Sequence, residues 1–175
     1  MGMFSKLDIE KYFNAEKQLG FWGLIIAAAL IAGAILFIVL GKTNLYKGVA
    51  VPLFAVSLLL GIACFTIYNK SDRDRKRNVY AFDMNPSELK DKELPRMKKV
   101  MSQFAAVQWV EILLILVGIG LFVYFKNNGD QTFCKGFGLS LAIMALLLLT
   151  IDFFAAKRGS SYTEGLTSFI NSKFK

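Results

Sequence analysis

The chain has 175 residues, 55% of them hydrophobic and 19% charged, with 21 lysines and arginines against 13 acids and a net charge of +8. It contains no histidine and only two cysteines, which rules out the usual ligand sets for zinc, copper, haem or iron–sulfur clusters, and also Ser–His and Cys–His nucleophile pairs. Neither a cofactor nor an enzymatic activity is expected.

In chain order, residues 1–20 are expected to form a surface helix, since Phe4 to Leu19 favours helix while its apolar residues spread around the wheel. Met1-Gly2 opens like a myristoylation site, but Lys6 stands where that motif needs Ser or Thr. Four apolar runs follow: Phe21 to Leu40, Val49 to Tyr68, Phe104 to Phe125 and Gly136 to Phe154. Each is about as long as a helix needs to cross ~30 Å of hydrocarbon, which takes roughly 20 residues. The first run is too long for the apolar part of a signal peptide and is expected to stay as a helix.

In that run Gly23 and Ala27, and Ala29 and Gly33, are spaced by four, a stripe of small residues on which another helix backbone can approach closely. Ser57 and Gly61 repeat the spacing in the second run. Pro52 is expected in the first turn of its helix, where a missing N–H does little harm. Gly41-Lys42-Thr43 ends like a phosphate loop, but Leu36 occupies the place of the first glycine.

Residues 69–103 are expected to be a charged loop, with six acids among ten bases, too short for a core of its own. Within it Asn85-Pro86-Ser87-Glu88 reads as a helix start, with Asn85 as cap, and Pro95 bends the chain into a second helix leading to the third run. After the fourth run, Gly159-Ser160-Ser161 is expected to break the helix. Tyr162, Leu166, Phe169, Ile170 and Phe174 then share one helical face, so residues 155–175 read as an amphipathic helix lying on the membrane, with Lys173 and Lys175 near anionic heads.

Two acids fall inside the apolar runs. Asp152 lies near the end of the fourth and is expected to snorkel or to pair with Lys157 or Arg158. Glu111 is deeper and shares a face with Gln108 and Gly118, a polar and small stripe that should point into the bundle. It can bind a proton or cation in a transport path, anchor a partner helix, or fix helix packing. Cys64 and Cys134 are expected as free thiols near opposite membrane faces.

Seventeen of the 21 basic residues lie before the first run, between the second and third, or after the fourth. Lys and Arg collect on cytoplasmic flanks, so both termini and the middle segment are expected inside, and bases flanking spans do not make a nucleic-acid surface. At an offset of 88, Gly41 to Gly48 falls on Gly129 to Gly136, sharing the first Gly, a central apolar residue and a closing Lys-Gly. The turns either mark a parallel repeat or carry glycine for its tolerance of positive φ. The expected fold is all-α, a single polytopic membrane domain of four transmembrane helices. They form two parallel-repeated hairpins, 21–68 and 104–154, with short interfacial helices.

No motif carries a resemblance to a known family. The expected role is a non-enzymatic protein of the bacterial inner membrane. It would bind another membrane protein or a membrane-active toxin, as an accessory subunit or immunity-type protein. Its expected contacts are the bilayer and such a partner, or a second copy of itself, but no nucleic acid. Tyr46, Lys47, Phe133 and Lys135 in the outer turns, and the Tyr162 to Phe174 stripe, are the candidate partner surfaces. The competing role is a small oligomeric transporter or channel using Glu111.

Overall fold

The computed structural model describes residues 4–174 and is all-helical among them. The expectations resting on Met1-Gly2 and on Lys175 lie outside the described residues. Four helices are long and apolar enough to cross a membrane, so the chain reads as a multi-pass membrane protein. They are α1 (Lys6–Leu40), α2 (Asn44–Met84), α4 (Leu94–Phe125) and α5 (Thr132–Lys173), with a single short turn, α3 (Pro86–Glu88), between the second and third. α1 packs along α2, α4 along α5, and α2 and α5 pack on each other as the central pair.

The helices outrun the apolar stretches. At about 1.5 Å per residue α5 is roughly 60 Å long, twice the hydrocarbon thickness, so the bundle continues into a charged end outside it. There the structure departs from the sequence reading. The stretch expected as a loop is almost all helical, and its first part is the continuation of α2, unbroken to Met84, because its alternating charges pair along the helix (Asp72–Arg75 3.4 Å, Asp74–Arg77 3.6 Å) while Val79, Ala81 and Phe82 turn inward. Likewise α5 does not break at Gly159-Ser160-Ser161. Gly159 is buried where a Cβ would stand 2.9 Å from the Met101 sulfur, and the Ser161 and Thr163 hydroxyls donate to carbonyls one turn back.

The C-terminal stripe is therefore not free to lie on a leaflet. Tyr162, Leu166 and Ile170 are buried with Phe4, Ile9, Phe13, Ala81, Leu89 and Met97, while Phe169 packs at the edge and Phe174 remains exposed beneath the Lys90 ammonium. An amphipathic face satisfies a protein core as well as it does a membrane surface, and α1 and α2 supply the other walls. Ser5 starts α1 with its N–H and hydroxyl on Asp8 Oδ2 at 2.8 and 2.9 Å. Lys6–Asp83 (2.6 Å) and Lys17–Asp72 clip α1 to α2.

The Asn85-Pro86 start is where the sequence places it, at the head of α3. A π-helical turn, Leu89–Glu93, follows, in which the Leu94 N–H reaches back five residues to the Leu89 carbonyl. Pro95 has no N–H to continue the ordinary ladder, and the widened turn buries both Leu89 and Glu93. Pro52 sits nine residues into α2 rather than in its first turn, because the helix begins at Asn44, directly after the outer turn.

Candidate functional site

Small residues set the spacing in the apolar half. A Cβ on Gly118 would lie 2.7 Å from the Ala142 nitrogen and 2.8 Å from the Gly138 oxygen, so α4 and α5 cross there almost backbone to backbone. Two turns along α4 from that crossing, Glu111 is 3% exposed and its Oε2 makes no hydrogen bond. Asp152 of α5 faces it, and Cys64, buried on α2, lies close to Asp152. Gln108, one turn before Glu111 on α4, is half-buried.

Asp152 was expected near Lys157 or Arg158. Among the described residues it pairs with neither, and Arg158 lies 3.8 Å from Glu16 instead. The bases follow Asp152 by five and six residues, which at 3.6 per turn carries them to another face of α5. Two facing carboxylates in a low dielectric repel, and a proton or cation held between them removes that repulsion. Among the described residues no three His, Cys, Asp or Glu side chains could together hold a metal ion.

In the first half of the chain, the positions 88 earlier are Gly23 and Cys64. They too are in contact: a Cβ on Gly23 would run into the Cys64 sulfur. Ala27 belongs to the same contact, meeting the position of a Gly61 Cβ at 3.5 Å, and Gly20, which spacing did not single out, approaches the Cys64 carbonyl and Tyr68. Ser57 is fully buried, its hydroxyl donating to the Leu53 carbonyl at 2.5 Å. The stripe is therefore Gly20, Gly23, Ala27 and Ala34. Ala29 is exposed and Gly33 has open space beside it, because a packed face follows steps of three and four rather than four alone.

The two outer turns meet. A Cβ on Gly48 would collide with the Phe133 carbonyl and reach the Phe137 nitrogen at 3.0 Å, and a Cβ on Gly136 would collide with the Leu45 carbonyl and reach the Val49 nitrogen at 3.2 Å. Each contact is the other displaced by 88 residues. Among the described residues no glycine has positive φ, so these glycines serve close approach and not turn geometry. Tyr46, stacked on Phe37, and Phe133 are 41% and 40% exposed, with Lys47 exposed beside Tyr46 and Lys135 reaching the Lys126 carbonyl at 3.4 Å.

At the charged end a second polar cluster is buried that residue spacing did not reveal. Glu93 is 1% exposed and accepts from Arg96 Nε and Nη2 at 2.8 and 2.6 Å, with Arg77 at 3.6 Å and the Tyr162 hydroxyl at 3.4 Å. Burial is the largest single influence on the Arg96 charge and works against it, but the Glu93 hydrogen bonds and the Glu93 charge together outweigh it and hold the guanidinium above its ordinary value. Tyr162 stacks on Tyr12 at 4.3 Å. The one available signal was Glu93 three residues before Arg96, next to a proline. Cys64 is buried and Cys134 half-buried, and both are free thiols. The chain matches no family model, no curated protein and no solved structure.

Proposed function

We propose that this is a non-enzymatic protein of the bacterial inner membrane, with both termini and the charged end in the cytoplasm, that binds another membrane protein or a membrane-active toxin at its outer end. The observation that carries this reading is the meeting of the two turns. Reciprocal contacts of Gly48 and Gly136 put Tyr46, Lys47 and Phe133 on one end of the bundle, an exposed aromatic and basic surface held on rigid helix ends. The same reciprocity supports a parallel repeat of two hairpins. The excess of bases on the far flanks supports the orientation.

Crosslinked affinity purification from native membranes tests this reading. A distinct partner at near one-to-one ratio is expected, lost in Tyr46→Ala/Phe133→Ala while the protein stays folded. Recovery of self-crosslinked copies alone would count against it.

A second reading is favoured by Glu111, whose unpartnered oxygen faces Asp152. A pair able to take up a proton or monovalent cation within the bilayer fits a small oligomeric transporter. It predicts that Glu111→Gln abolishes flux in liposomes without unfolding the protein, whereas the binding reading predicts that partner capture survives this change.

A further inference from the structure

Between the start of α1 and the end of α5 lies a groove of about 740 Å³. Its apolar wall includes Tyr12, Phe154 and Phe169, and its bases are Lys11, Lys157 and Arg158. Phe154 closes the fourth apolar run and Lys157 is the first base beyond it, so the groove opens onto the leaflet bordering the charged end.

The groove holds three bases against two acids. Both acids keep their charge but are turned toward their own helices, Asp8 accepting from the Ser5 N–H at 2.8 Å and Glu164 from the Ser160 hydroxyl at 2.9 Å. Arg158 leans on Glu16 at 3.8 Å, and its Nε has no hydrogen-bond partner. Lys11 and Lys157 are exposed and, among the described residues, in no ion pair. Free ammonium groups beside an apolar wall that is continuous with the bilayer match the two parts of one lipid, a phosphate and its acyl chains. A soluble anion would have no use for that wall.

We infer that this groove is a binding site for one anionic phospholipid, its phosphodiester between Lys11 and Lys157 and its chains running past Phe154 into the leaflet. The site is independent of what the outer turns bind. The test uses the full chain, purified in detergent from liposomes of phosphatidylglycerol and phosphatidylethanolamine, with retained lipid counted by native mass spectrometry. One phosphatidylglycerol per chain is expected, preferred about tenfold, and Lys11→Gln/Lys157→Gln should lower its retention about fivefold. Lys98→Gln/Lys99→Gln removes the same charge from two exposed lysines outside the groove and should leave retention unchanged. Ser161→Trp, which fills the groove from an exposed position, should also displace the lipid. Equal retention of the two lipids, equal loss in both lysine pairs, or undiminished retention in Ser161→Trp would each overturn the inference.

Discussion

At the charged end the side chains that vanish from the surface are large: Ile9, Leu89, Met97 and Leu166, with Glu93 and Asn78 among them. Along the apolar runs most buried positions are instead small, among them Gly23, Ala27, Ala34, Ala50, Ser57, Gly118, Gly136 and Gly138, with Leu60, Leu141 and Met144 as the large apolar exceptions, while residues such as Leu59 stay 66% exposed on the outside. The same four helices are joined by two kinds of contact because they lie in two solvents. In water, burying a Leu or Phe stabilises the fold by about 1.5–3 kcal/mol, so the largest apolar groups go inside. In lipid that gain is absent, and close backbone approach through small residues takes its place.

The largest expected effect is at the buried Glu93. Glu93→Ala removes a carboxylate that accepts two charge-assisted hydrogen bonds from the partly exposed Arg96 and should destabilise the charged end by about 3–5 kcal/mol, read by chemical unfolding of the purified protein. If the cost is negligible, the charged end is not a packed core and the contrast fails. Leu166→Ala, at 0% exposure, should cost about 2–5 kcal/mol in the same assay. Leu59→Ala, the same chemical change on the outer face of the apolar run, should stay within about 0.5 kcal/mol, and an equal loss at the two leucines would break the comparison.

A bulky side chain should be tolerated in the opposite pattern. Gly136→Leu forces the backbones of α2 and α5 apart and is expected to cost about 1–3 kcal/mol or to prevent assembly, while Gly120→Leu, with open space around it, should be nearly silent. Thermal unfolding in detergent separates the two.

The smallest effect is a pH dependence confined to the charged end. Burial, with the Glu93 charge beside it, holds the Tyr162 phenol above its ordinary value of 10.0. The folded protein then keeps a proton that the unfolded chain gives up, so stability falls as pH rises past 10.0. Tyr162→Phe should make that alkaline decline shallower. Tyr12, also held up by burial, leaves a remainder.

Glu111 and Asp152 stood out from the sequence as the two acids in apolar runs, but not as a pair. They lie 41 residues apart on different helices, and only the crossing of α4 and α5 at Gly118 and Gly138 sets their carboxyls face to face. The Tyr162 to Ile170 face was legible as one apolar stripe, yet a stripe does not say what covers it. The answer came from Phe4, Ile9 and Phe13 on another helix.

Run length and hydropathy by themselves determined four membrane-length helices, because a hydrocarbon slab leaves a chain few ways to satisfy its backbone. The helix start at Pro86 was equally local, since the lost N–H acts within one turn, although among the described residues the Asn85 side chain accepts from the Ser87 hydroxyl and caps no backbone N–H. Tertiary structure alone decided where those helices end, which small residues touch, and which polar groups are buried together. Helix continuation past the membrane depends on partners supplied by distant segments, and those contacts leave no periodic trace in any one stretch of sequence.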